Sequence, residues 1–330
     1  MNREASTVTD ATSSGRGGSV DGGVSSNPAS RPGSGRRTSL ARFTPSGLPW
    51  VLPALVVSGG LIYYCIGYTG WISTLDWNGV SLDRRSVGLA NYDRLFQDPV
   101  FWKSLWHTAL FFVTTTVGQI VLGLLFAVLL HSRVRMVAIY KVIVFVPVVL
   151  APATMAPVFR QIYAPEGTFN GLLHVLGLDA AAQPWLAQPG TALAVVISIQ
   201  IWASTGVAFI LYFAAISQID PEVIEAARMD GAGNMRVITS MIWPSVRGTT
   251  LALITLSAIA SLKTFDVPYL VTNGGPNYAT EFLGTFIYRI SVPQSAVGYG
   301  AAISIMLLAL ATAMAVAFNI RSRDRGKTDA

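Results

Sequence analysis

Asp, Glu, Lys and Arg are missing from five long runs of this 330-residue chain: 43–75, 104–132, 142–159, 180–219 and 290–320. A helix needs about 20 mostly apolar residues to cross the hydrocarbon core of a bilayer, and each run is close to that length or longer. A sixth run, 248–272, is equally apolar apart from Lys263 and Asp266. Only 12% of the residues are charged and 52% are hydrophobic, against about a quarter charged in soluble domains. This excludes a collagen, a coiled coil or a cytosolic enzyme. It predicts an all-α integral membrane protein with six transmembrane helices, at about 48–72, 104–130, 142–159, 191–216, 248–272 and 297–320.

The ends are polar. Residues 1–47 are rich in Ser, Gly, Thr, Pro and Arg, with almost no large apolar side chain before Leu40, so they cannot bury enough surface to fold alone. They are expected to be a disordered cytoplasmic tail, 48–320 the six-span domain and 321–330 a second, basic cytoplasmic tail. Positive residues are retained on the cytoplasmic side. With the N-terminus inside, 16 of the 23 Lys and Arg fall on inner segments, so both termini are expected in the cytoplasm. That topology also accounts for the basic balance without a nucleic-acid partner. Cys65, the single cysteine, lies in the first span and is expected simply to pack there; alone it permits neither a disulfide framework nor a Cys-based metal site.

Two segments depart from plain apolar helix. The third span contains Pro147, Pro152 and Pro157, each removing a helical hydrogen bond, and broken helix at membrane depth is tolerated only inside a bundle or beside a cavity. A central, kinked helix is therefore expected. The loop 217–246 carries a helix with marked ends. Asp220 is a suitable N-cap and Pro221 suits the first helical position. Glu222 and Glu225 fall in the first turns, where the helix dipole favours negative charge, and Gly231 can take the left-handed cap conformation. Asn234 starts a second helix toward Pro244. Val223, Ala227 and Asp230 share a stripe by three- and four-residue spacing, and Ala226 and Ala227 keep that face low for close approach of another protein. From spacing alone, a solvated amphipathic loop helix remains the alternative.

Glu225-Ala226-Ala227, three residues, Gly231, then nine residues before Met241-Ile242-Trp243-Pro244 resembles the signature loop of ABC importer membrane subunits. The family pattern has Ile and Leu where Met241 and Trp243 stand here. Leu89-Ala90-Asn91-Tyr92, Asp98-Pro99, Asp230-Gly231-Ala232 and Thr272-Asn273-Gly274-Gly275-Pro276 are similar to the carbohydrate-uptake branch, the maltose and glycerol-3-phosphate type, and to the first of its two unlike permeases. The resemblance spans about 48–320. It implies a type I ABC importer permease fold, with Glu225, Ala226, Ala227, Asp230, Gly231, Ala232 and Pro244 docking on a separate ATP-binding subunit. The implied partners are two copies or a pair of that ATPase, which would bind ATP and Mg, a second permease, an extracytoplasmic sugar-binding protein, membrane lipid and the sugar itself.

This chain is expected to bind no cofactor and to catalyse nothing. It lacks the Gly-x-x-x-x-Gly-Lys-Ser/Thr phosphate cradle, and His107, His131 and His174 fall in separate segments. For the solute path, polar residues within spans usually face the bundle interior. Gln200 and Ser204 are four apart, as are Ser257 and Ser261, and the helix rising from Pro244 to Ser257 climbs ~20 Å. Hydrogen bonding between helices is the other use of such serines. The resemblance assigns the sugar-lining positions to Gln200, Ala203, Ser204, Val207, Ser257, Ala260 and Ser261, with Val148 and Pro152 near the kinks. Lys263 and Asp266, three apart, are expected to pair at the outer end. A non-sugar ABC permease, or a proton-coupled transporter using Lys263 and Asp266, are the competing readings.

Overall fold

The computed structural model describes residues 48–131 and 136–326. The predicted tail 1–47, Arg133 and Arg135 of the basic turn, and residues 327–330 lie outside them. Contacts divide the chain at Pro53. The described part of the first unit is Leu48–Pro53, the opening of α1; the second unit begins at Ala54.

Four helices are long and apolar enough to cross a membrane: α1 (Leu48–Ile72), α3 (Pro99–His131), α7 (Pro189–Ile216) and α14 (Val297–Gly326). Two further spans are bent pairs, α4 (Val137–Val149) with α5 (Pro152–Ile162), and Asn234–Ser245 with α11 (Arg247–Leu262). Counting each pair as one gives the predicted six. Between α1 and α3, a short antiparallel strand pair (β1, Leu75–Asp76; β2, Arg85–Ser86) and α2 (Ala90–Gln97) make a partly helical connector. Asn91 holds it by donating to the Ser73 and Leu75 carbonyls, both at 2.9 Å. Helix α6 (Thr168–Val175) lies in the connector before α7, and α13 (Leu283–Ser291) in the one before α14.

The prolines of the third span do more than kink it. The chain leaves helix at Leu150, φ −72° and ψ 125°, and re-enters with Pro152 in the first turn of α5, turning through 99°. A residue preceding proline is pushed out of the helical region, and Ala151 sits extended at φ −66°, ψ 140°. Helix α4 packs on α7, where Gly206 lets the two backbones meet. A Cβ there would come within 2.6 Å of Val148 Cγ2 and 2.7 Å of the Val144 carbonyl oxygen. The opposite side of α4, with Val142, Ile143, Val146 and Val149, is uncovered by this chain, so within one chain the segment is peripheral rather than central.

The fifth span also departs from expectation. Helix α11 ends at Leu262 and a new helix, α12 (Asp266–Thr272), starts after an interruption at Lys263–Phe265. The three-residue spacing of Lys263 and Asp266 therefore never becomes a helical neighbour pair. Among the described residues the ion pairs are His174–Asp179 and Glu281–Arg289, and Lys263 and Asp266 form none. Helix α14 runs to Gly326, past the predicted end at 320; Arg is a good helix former, so the basic run starts as helix.

Three buried apolar clusters hold the second unit. One centres on Phe111, Val196, Ile199, Val267 and Phe282, another on Leu95, Phe101, Phe286, Tyr299 and Ile303. The third, with Ala127, Phe209, Tyr212, Ile216, Val237, Ile242, Val246 and Leu253, lies where α3, α7 and α11 meet the 217–246 loop. Along α1, Leu55, Val57, Leu61, Ile62 and the lone Cys65 are exposed, so Cys65 is not part of the buried core formed by the described residues.

Candidate functional site: the capped loop and the polar helix faces

The 217–246 loop forms the two predicted helices, α8 (Pro221–Met229) and α9 (Asn234–Val237), before a π-helical turn (Ile238–Ile242) and α10 (Trp243–Ser245). Asp220 caps α8 as expected, its Oδ1 accepting from the Glu222 amide at 3.0 Å. At the other end the Ala232 amide donates to the Ala227 carbonyl at 2.9 Å and the Gly231 amide to that of Arg228 at 3.0 Å. These two bonds are the Schellman cap, and it requires the left-handed conformation Gly231 adopts at φ +81°. A Cβ on Gly231 would meet nothing within 4 Å, so within this chain glycine is demanded by backbone conformation alone.

Pro244 explains the π turn. In a regular α ladder its ring would collide with the carbonyl four residues back. The chain widens instead, the Trp243 amide reaching the Ile238 carbonyl five residues away. The path then bends by 65° into α11, so α11 climbs from Arg247 rather than straight from Pro244.

The loop is anchored from above by one face. Ile224 and Ala232 pack toward the third cluster and Val237, Ile242 and Val246 are buried in it. Ala227 is only 7% exposed. This corrects the expected stripe: Val223, Ala227 and Asp230 do not form one open face, because Ala227 and Ile224, three apart, belong to the side turned inward. The open side carries Glu225, Ala226 and Asp230, together with Met229, 88% exposed, and Met235, 72% exposed. Sequence reasoning passed over these two methionines. They flank the glycine cap, and methionine is a side chain suited to adaptable protein contacts.

Above the loop, Tyr212 on α7 and Thr250 on α11 hydrogen-bond at 2.9 Å in a buried position. Farther along α7, Gln200 Nε2 donates to Ser204 Oγ at 3.1 Å and the Ser204 hydroxyl donates to the Gln200 carbonyl, so this pair does share a face. Ala203 packs beside the Phe111–Phe282 cluster and Val207 is partly exposed. On α11, Ser257 and Ser261 are buried: Ser257 donates to Gln119 Oε1 of α3 at 3.3 Å and Ser261 to the Ser257 carbonyl at 2.7 Å. Both serines thus serve packing inside this chain, while Ala260 is exposed. No hydrogen bond among the described residues joins the Gln200 pair to the Ser257 pair. Val148 lies against Gly206, and Pro152 stands past the break at the start of α5. Within this chain the expected path positions comprise two local polar pairs and a kink.

At the opposite end, sequence reasoning missed Glu281. It is fully buried and pairs with Arg289 at 2.8 Å. Arg289 also donates to the Asn273 carbonyl at 2.7 Å. His107 Nδ1 lies 3.0 Å from the Glu281 carbonyl and Lys103 donates to that of Asn277 at 2.7 Å. The connector from Asn273 to Glu281 is thus held by Arg289, Lys103 and His107. Among the described residues no group of acidic, His or Cys side chains is arranged to hold a metal.

Known proteins align with this architecture. Residues 119–325 match the family described as binding-protein-dependent transport system inner membrane component. The probable ABC transporter permease protein YurN of Bacillus subtilis (strain 168) is 33% identical over 261 residues, covering 78% of this chain and 89% of the relative. The diacetylchitobiose uptake system permease protein NgcF of Streptomyces coelicolor is 31% identical over 301 residues, covering 85% of this chain and 83% of the relative. In fold, the chain is similar to a crystal structure of a bacterial ABC transporter involved in import of the acidic polysaccharide alginate, with a TM-score of 0.70 at 22% identity, over 84% of this chain and 96% of that one. The six spans, the capped loop and these matches together make the chain a multi-pass membrane permease of the binding-protein-dependent ABC transport family.

Proposed function

We propose that this chain is one of two unlike permease subunits of an ATP-driven importer for a sugar or sugar derivative, delivered by an extracytoplasmic binding protein. Relatives named for diacetylchitobiose, sulfoquinovosyl glycerol and lactose transport support the solute class. A transporter similar in fold was crystallised with an alginate-pentasaccharide-bound periplasmic protein, which supports delivery by such a partner. The excess of Lys and Arg on one set of loops supports a plasma-membrane topology with both termini in the cytoplasm.

The observation that carries the mechanism is the Schellman-capped loop, open on one side and fused on the other to the helices it joins. A separate ATPase subunit, holding ATP and Mg, would grip Glu225, Ala226, Met229, Asp230 and Gly231. Closure of the ATPase pair would move α8 as a rigid lever, since its inner face is packed beneath α7 and α11. Ala227, Ala232 and Pro244 serve by shaping that lever rather than by touching the partner. Gln200, Ser204 and Val207, with Ala260 and Val148, are the residues of this chain proposed to border the path; the second permease would supply its other wall.

The test is to purify the chain with its co-encoded neighbours and reconstitute it in vesicles. ATP-dependent sugar uptake that vanishes without the ATP-hydrolysing chain is expected. Uptake driven by a proton gradient with no ATPase present would overturn the reading.

A further inference from the structure

Between α11 and α14 lies a groove of about 270 Å³, floored by small and apolar side chains including Ala258, Leu262, Ala311 and Met314. Lys263 lines one end, just past the last residue of α11. Its ammonium has no hydrogen-bond or ion-pair partner among the described residues, and Asp266, the nearest acid in sequence, does not meet it. A charge at the margin of the hydrocarbon region is costly unless it is paired or reaches polar surroundings. The groove supplies the second constraint. From Thr255 to Lys263 it runs ~12 Å along α11. Its wall is almost wholly apolar, the surface a hydrocarbon chain packs against.

We propose that this groove seats one acyl chain of an anionic glycerophospholipid whose phosphate is held by Lys263. The cation at one end and the dry trough running from it toward the middle of the bilayer match the two halves of such a lipid. The site lies at the end of α11 opposite the 217–246 loop, and α11 is the helix that leaves the loop. A bound lipid there would brace α11 against α14.

The experiment uses the assembled transporter, purified from membranes and exchanged into detergent with phosphatidylglycerol or phosphatidylcholine as the probe. Phosphatidylglycerol retained per complex is counted by native mass spectrometry. Wild type and Lys263→Arg should retain it, and phosphatidylcholine should be retained at least five-fold less. Lys263→Gln should lower phosphatidylglycerol retention at least five-fold. Ala311→Leu, which fills the groove and leaves the charge, should do the same, and it decides the matter alone if the Lys263 variant fails to assemble. Equal retention by the variants would overturn the proposal. So would a photo-crosslinker at Ile259 that captures a helix of another subunit in place of lipid.

Discussion

Tyr212 and Thr250, 38 positions apart, close a buried hydrogen bond of 2.9 Å between the helix that enters the 217–246 loop and the helix that leaves it. Thr250 also donates to the Val246 carbonyl at 3.0 Å, so its single proton is committed there and Tyr212 must be the donor across the gap. Tyr212 belongs to the cluster that receives Val237, Ile242 and Val246. Movement at the loop therefore reaches α7 and α11 together.

This assignment predicts unequal costs for two conservative changes. Thr250→Val leaves the Tyr212 hydroxyl buried with no acceptor, at about 1–3 kcal/mol. Tyr212→Phe leaves Thr250 satisfied by Val246 and should cost less than about 1 kcal/mol. Thermal unfolding of the purified complex should rank T250V below Y212F. The reverse order would show that the proton runs the other way.

The glycine cap separates conformation from contact. Gly231→Asn keeps access to the left-handed region, since Asn tolerates it better than other non-glycine residues, and a Cβ there meets nothing within 4 Å. The variant should therefore reach the membrane and unfold near the wild-type temperature. If an ATPase subunit approaches that surface, G231N should still bind it poorly and lose most sugar uptake. Normal uptake by G231N would confine the role of Gly231 to capping.

At the α4–α7 crossing, Gly206→Ala should destabilise by about 1–3 kcal/mol, the usual cost of overpacking, because the new methyl meets Val148 Cγ2 and the Val144 carbonyl. Adding Val148→Ala removes the first obstacle and leaves the second, which is backbone. The double variant should recover part of the loss. Full recovery, or none, in a double-mutant cycle of unfolding midpoints would refute this description of the contact.

What the sequence made legible follows the range of each interaction. The spans, the Asp220 cap, the Gly231 stop and the Gln200–Ser204 pair rest on neighbours within about five residues, and all are present. The errors concern which way a face turns and what lies across the bundle. The small size of Ala227 reads as an open face, although Ile224, three residues before it, marks that side as inward. Ser257 bonds between helices, the use its residue type leaves open, but its partner Gln119 is 138 positions away and nothing local marks it. The break at Lys263–Phe265 carries no proline or glycine to announce it, so α11 and α12 read as one span. The clamp on the connector from Asn273 to Glu281 depends on a carboxylate eight residues from its arginine, joined through a turn, and no helical or strand period marks such a pair.

That clamp yields the last prediction. Glu281 is wholly buried and Arg289 partly so, and removing one partner of a buried ion pair strands the other charge at a cost of about 3–5 kcal/mol. Arg289→Met should therefore lower the yield of folded complex and open the 273–280 connector to added protease. A second change, Glu281→Gln, removes the stranded charge and should restore much of the yield. It should not restore protease resistance, because the Arg289 bond to the Asn273 carbonyl is lost in both variants. Protection of the connector in the double variant would mean that Lys103 and His107 hold it without the arginine.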